Sequence, residues 1–187
     1  EAELIYFGTL VQRSETGFKN LQSFITVGAS ETLNFYDINL RPGCYSNAVI
    51  EKSLTKTDIL KLSMEELGKL RQLLSVKKNN APFIQYLIKK YALNTVSLTK
   101  GASGSALFIN QSSFSSDAAE AVNVVDSVGA GDAYAAMLAA GILRGWQPEE
   151  ILIQASLFAA RICEIKGAIP DSPSFYEPFK PLFRNSR

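Results

Sequence analysis

The residues best suited to chemistry are Asp126-Ser127-Val128-Gly129-Ala130-Gly131-Asp132-Ala133-Tyr134. A valine-rich run from Val122 to Val125 leads in, and an alanine-rich run from Ala133 to Leu143 leads out. That order predicts a strand, a tight glycine turn and a helix N-terminus. The N–H groups of a helix's first turn have no intrahelical partners, and the helix dipole adds partial positive charge there, so such a turn is an anion site. Asp132 places a carboxylate where an anion would otherwise be welcome. Binding alone does not need that carboxylate, but proton abstraction beside a phosphate does.

Several readings compete for this turn. A glycine-rich strand-to-helix turn with no ligand is the plainest, with Asp132 serving only the helix dipole. A dinucleotide fingerprint fails, because Tyr134 is too large for the third small position and Asp132 would repel a pyrophosphate. A nucleotide P-loop fails as well, since no Lys-Ser or Lys-Thr follows a glycine turn at the required spacing. The remaining reading is phosphoryl transfer: backbone N–H groups hold the transferring phosphate while Asp132 takes the proton of an acceptor hydroxyl.

The elements around the turn alternate. Strands are expected at Leu4–Leu10, Leu33–Ile38, Asp58–Leu62, Thr95–Thr99 and Ser105–Ile109, with Ser112–Ser116 as an edge strand. Helices are expected at Ser14–Phe24, Asn47–Leu54, from Ser63 onward, Pro82–Tyr91, Ala133–Leu143 and Ile151–Ile165. Ser63 and Glu66 have capping-box spacing. Pro148-Glu149-Glu150 is a helix start, and Gly167 with Pro170 ends that helix. Small residues on most faces of the Ala133 helix imply close neighbours, and we place it against the sheet. The tail from Asp171, with Pro173, Pro178 and Pro181, reads as irregular. Alternation of this kind means an α/β class with a largely parallel sheet and helices on both faces.

Bulk composition narrows the function. With 187 residues and 47% hydrophobic content, the chain can bury one substantial core as a single domain. Lys plus Arg is 19 against 18 acids, a formal charge of +1, and no basic stripe argues for nucleic acid as a partner. Two cysteines, Cys44 and Cys163, fit a reducing, cytoplasmic compartment. With no histidine, the usual zinc ligand sets are missing. Apolar stretches are broken by Arg, Glu or Gln before they reach membrane-spanning length, so no membrane role is expected. The sequence opens with Glu1-Ala2-Glu3 in place of an initiator methionine, and without a signal-peptide layout.

The nine residues Asp126–Tyr134 resemble the C-terminal signature of the ribokinase-like (PfkB) carbohydrate kinases, D-[ST]-x-G-A-G-D-x-[FY]. Other stretches resemble family segments in the expected order. Thr99-Lys100-Gly101-Ala102-Ser103-Gly104 is similar to the T-x-G-x-x-G turn, and Asp37-Ile38-Asn39-Leu40-Arg41 to the D-x-N-x-R segment of the fructokinase and ketodeoxygluconate kinase branches. Gly167-Ala168 resembles the Gly-Ala after the penultimate helix. The resemblance implies a three-layer α/β/α sandwich and ATP-dependent phosphorylation of a sugar hydroxyl. Asp132 would be the general base, with Gly129, Ala130, Gly131 and Asp132 supplying the anion hole. Thr99, Lys100, Gly101 and Gly104 would bind ATP, and Arg41 the phosphate or an acidic sugar. Asp126 would belong to a monovalent-cation (K+) loop, or else cap the turn by accepting backbone N–H bonds. A vitamin or nucleoside kinase, and a non-catalytic nucleotide-binding module, are the alternatives.

Two departures from the family stand out. The family's Asn-x-x-Glu, linked to Mg2+ and phosphate, is Ser63-Met64-Glu65-Glu66 here, so Glu66 fits and Ser63 replaces the asparagine. Mg2+ keeps several waters and needs few protein ligands, so a single acid suffices. The N-terminal sugar-binding and lid portion of the family has no counterpart before Leu4. We therefore expect a C-terminal, nucleotide-binding and catalytic part of a longer kinase, weakly active or inactive alone, whose full-length form pairs as a homodimer.

Overall fold

A computed structural model of the chain describes residues 2–27, 31–119 and 123–183. They form two compact units, Glu1–Asp117 and Ala118–Arg187.

The first unit is built on a six-stranded sheet in sequence order, β1 (Leu4–Phe7), β2 (Leu33–Asp37), β3 (Ile59–Ser63), β4 (Thr95–Thr99), β5 (Ser105–Ile109) and β6 (Ser112–Ser116). β1 to β4 pair in parallel. Each of those steps needs a helical crossover, which α1 (Glu15–Val27), α2 (Asn47–Leu54) and the pair α3 (Met64–Leu73) and α4 (Asn80–Tyr91) supply. The β4–β5 connection is too short to cross over, so β5 and β6 return antiparallel and β6 ends as the expected edge strand.

One sheet face carries the core. Phe7, Tyr36, Leu60, Leu62, Val96 and Leu98 meet Ile25 of α1, Ile50 and Leu54 of α2, Leu67 and Leu70 of α3, and Phe83, Ile84 and Leu87 of α4. These near-continuous apolar strands fit a parallel sheet buried on both faces. α3 begins with a full capping box: Ser63 Oγ accepts from Glu66 N–H, and Ser63 N–H donates to Glu66 Oε2 at 2.7 Å.

The second unit pairs α5 (Ala130–Leu143) with α6 (Pro148–Cys163). Small residues allow the close approach: a Cβ on Gly141 would lie 2.7 Å from Ile151 Cγ1 and 2.9 Å from Trp146 Cε3.

Two readings of this unit need correction. Residues 123–127 form no strand, and Val124 (66% exposed) and Val125 (54%) are not buried. Instead, Val125 and Asp126 N–H both donate to the Cys163 carbonyl. Val122 lies outside the described residues. The tail is likewise not irregular, because Pro173–Phe183 forms 3-10 turns. Phe179 meets Phe158 of α6 edge-on with 4.9 Å between ring centroids, and Phe175 and Tyr176 flank the same ring. Phe158, Tyr176 and Phe179 line an apolar pocket of about 240 Å³ together with Met137 and Phe183. Pro178 and Pro181 fit because 3-10 turns are short and make few of the bonds that proline would break.

Candidate active site

The expected site residues fall in both units, and each group has its own geometry. In the second unit the turn is set by Asp126, Gly129 and the segment at Gly167-Ala168. Asp126 Oδ1 accepts Val128 N–H at 3.0 Å and Oδ2 accepts Gly167 N–H at 3.1 Å. One carboxylate thus closes a local turn and ties it to a residue 41 positions away. These backbone donors hold its carboxyl below the usual carboxylate range, the Val128 bond contributing most.

A lowered folded pKa means this stabilisation is fully present above the unfolded value of about 3.9 and is lost as pH falls through the folded one. The Gly167 amide shift should therefore titrate with a midpoint clearly below ~3.9 and stay flat from pH 5 to 8. A midpoint at or above the ordinary value would show that the tie is absent in solution.

Gly129 is the N-cap of α5 and sits at φ +83°, the left-handed region that glycine enters without strain. A Cβ there would lie 2.8 Å from Ala168 Cα. The first backward bond of α5 runs from Ala133 N–H to Gly129 O, while Ala130 N–H turns to Ser127 O. Gly131 and Asp132 N–H therefore precede the helical ladder and have no intrahelical acceptor. Asp132 is exposed in this first turn. The arrangement offers backbone donors and the dipole's positive end to an anion, with one carboxylate available to a proton. Burial, followed by the nearby Asp126 charge, pushes the Cys163 thiol up, which argues against a nucleophilic thiolate.

In the first unit, Thr99 and Lys100 lead into a tight turn at Gly101–Ser103. Lys100 N–H donates to Gly104 O at 2.8 Å, and Gly104 N–H to Gly101 O at 3.1 Å. Gly104 has φ +82° and ψ −147°, and a Cβ there would run into the Ser116 carbonyl. Arg41 is exposed, in a turn closed by Cys44 N–H to Arg41 O at 3.0 Å, with Pro42 and positive-φ Gly43 between.

Glu66 is half-buried, and its second oxygen, Oε1, accepts Leu40 N–H at 2.9 Å. It therefore ties the D-x-N-x-R loop to the start of α3 as well as capping that helix. Among the described residues, no cluster of three or more Cys, Asp or Glu is arranged to hold a metal, so a divalent ion here would rely on phosphate oxygens and water beside one or two acids.

Sequence reasoning matched Gly167-Ala168 only by resemblance, whereas the structure gives each a contact in the turn. Thr9 was missed. Its hydroxyl donates to Asn39 O at 2.6 Å, and nothing in a lone threonine after a strand signals that bond.

A family model described as pfkB family carbohydrate kinase matches residues 1–174. A ribokinase from Arabidopsis thaliana is 36% identical over 85 residues, 45% of this chain and 22% of its own. A fructokinase from Salmonella thompson is 27% identical over 169 residues, 84% of this chain and 73% of its own. An uncharacterized sugar kinase from Pyrococcus horikoshii, solved in complex with ATP, superimposes with a TM-score of 0.75 at 26% identity, covering 90% of this chain and 54% of its own. The fold is thus ribokinase-like α/β; the chain spans about half the length of that structure, and its match to the Arabidopsis relative covers about a fifth of that protein.

Proposed function

As the chain belongs to the pfkB family of carbohydrate kinases, we propose that it is the nucleotide-binding and catalytic part, a single domain over 1–187, of an ATP-dependent sugar kinase of fructokinase type. The observation that carries this reading is the α5 N-terminus. Left-handed Gly129 opens a helical turn whose Gly131 and Asp132 N–H groups lack intrahelical acceptors, and the same turn presents an exposed acid. The match to a fructokinase over 84% of the chain supports the choice of branch.

The acceptor oxygen attacks the γ-phosphorus, the bond from that phosphorus to the bridging oxygen of ADP breaks, and Asp132 takes the acceptor's proton. A hydroxyl is a poor nucleophile at neutral pH, so a placed base gains about 10²–10⁴-fold. Of the N–H groups expected in the anion hole from Gly129 to Asp132, those of Gly131 and Asp132 hold the charge on the transferring phosphoryl group, the larger part of such catalysis. Ala130 N–H is engaged with Ser127 O, and Gly129 shapes the turn. Thr99, Lys100, Gly101 and Gly104 bind the nucleotide, and the constrained backbone of that turn supports this role. Arg41, exposed in the D-x-N-x-R loop, meets phosphate or an anionic acceptor.

Mg2+ bound with ATP would supply charge neutralisation on the phosphates, and Glu66 is the acid that would organise its water. Both Asp126 oxygens keep lone pairs beyond their backbone bonds, which suits a K+ loop. The protein works in the cytoplasm on a small-molecule acceptor, without nucleic acid or membrane, and its full-length form can pair as a homodimer. Among the described residues no helix is long and apolar enough to cross a membrane.

The test is an assay of the full-length protein with Mg-ATP against ketohexoses, aldopentoses, nucleosides and vitamin alcohols. Turnover that is highest with a ketohexose is expected. Turnover confined to a nucleoside or vitamin reassigns the substrate, and nucleotide binding without turnover on any acceptor favours a binding module.

A further inference from the structure

The last residue of β2, Asp37, lies directly opposite Lys61 of β3 in the parallel register. Their side chains form an ion pair of 2.7 Å and are almost fully buried, at 3% and 8% exposure. Asp37 Oδ2 takes both the Lys61 ammonium and the Tyr6 hydroxyl, at 3.0 Å, while its buried Oδ1 has no hydrogen-bond partner. Burial pushes the Asp37 carboxyl up, with Lys61 the main opposing influence. A half-satisfied buried pair is weak evidence for stability, since well-packed apolar residues often do as well, and fixing register is its best-attested use.

The loop that carries Arg41 starts one residue later. Ile38 N–H donates to the Lys61 carbonyl at 3.1 Å, so Lys61 holds the loop's root with both side chain and backbone. Beyond it, Thr9 fixes Asn39 O and Glu66 fixes Leu40 N–H, with Asn39 at φ +37°. Three elements thus converge on residues 37–40. A slip of β2 along β3 would break the Asp37–Lys61 pair and detach the other two ties.

We propose that Lys61 is a positioning residue: paired with Asp37, it locks β2 on β3 in the one register that aims the 38–43 loop and its Arg41. The pair sets where the arginine points and contributes little to overall stability.

Hydrogen exchange on Lys61→Met, Lys61→Arg and the double variant Asp37→Leu with Lys61→Met tests this. In Lys61→Met, exchange of the hydrogen-bonded Ile38 and Leu40 amides rises at least about tenfold while β4 amides stay protected. The double variant, free of buried charge, melts near the parent temperature yet keeps the loop's fast exchange, and Lys61→Arg restores protection. Equal acceleration throughout the sheet, no acceleration in the loop, or parental loop protection in the double variant would each overturn the proposal. Should Lys61→Met fail to fold, the double variant decides alone.

A second arm rests on the kinase reading. In the double variant the KM for an acceptor that Arg41 meets rises about tenfold while kcat stays within about threefold. An unchanged acceptor KM overturns the proposal as it concerns substrate. If the unsubstituted full-length protein turns over nothing, the kinase reading falls and exchange alone judges the pair.

Discussion

Asp132→Asn is expected to cut turnover by about 10²–10⁴-fold with nucleotide affinity held or improved. The side chain is exposed and the substitution nearly isosteric, so nothing in the packing of α5 changes. Removing the acid leaves the Gly131 and Asp132 N–H groups in place and takes one repelling charge away from an anion site. If Asp132 served only the helix dipole, the same variant would lose about 0.3–1 kcal/mol of stability and keep its turnover. The two readings thus separate in a thermal melt run beside steady-state kinetics, and unchanged kcat would remove Asp132 from the base role.

That variant rests on a motif legible in sequence because all its parts are contiguous. The same holds for the capping box at Ser63 and Glu66 and for the edge strand Ser112–Ser116, since local spacing fixes a cap and polar alternation marks an exposed edge.

The failures have physical reasons too. Val124 and Val125 have strand propensity, but a strand needs a partner, and here their segment bonds to the end of α6. In the tail, Pro178 and Pro181 hid a 3-10 segment whose real signal was the spacing of Phe175, Phe179 and Phe183, aromatic residues with Phe158 and Trp146 to cover. The spacing of Ser63 and Glu66 shows the helix cap and the resemblance adds a link to Mg2+, but the bond from Leu40 N–H to Glu66 across 26 residues leaves no local trace. Lys61 did leave one: a lysine inside Ile59-Leu60-Lys61-Leu62 is out of place in a buried strand unless an acid faces it. Which acid, only the register of β2 on β3 could say.

Gly129→Ala should be the most damaging single change in the second unit, for a reason separable from chemistry. An L-residue at φ +83° carries backbone strain of about 1–3 kcal/mol. The added methyl must also displace Ala168, an overpacking cost of about 1–3 kcal/mol. Together these predict a loss of about 2–6 kcal/mol of local or global stability, and a fall in turnover of at least about 10²-fold as the anion-hole donors shift.

Gly145→Ala is the matched control. Gly145 is also left-handed, at φ +66°, but a Cβ there meets nothing within 4 Å, so only the strain remains. Its stability loss should be about 1–3 kcal/mol with turnover near the parent value. Adding Ala168→Gly to Gly129→Ala removes the 2.5 Å contact with the Ala168 Cβ but leaves both the 2.8 Å contact with its Cα and the strain, so a double-mutant cycle should show positive coupling and partial recovery of turnover. Absence of coupling would mean that Ala168 does not support the turn. Coupling without recovered turnover would mean that positive φ at Gly129, more than its close packing, sets the anion hole.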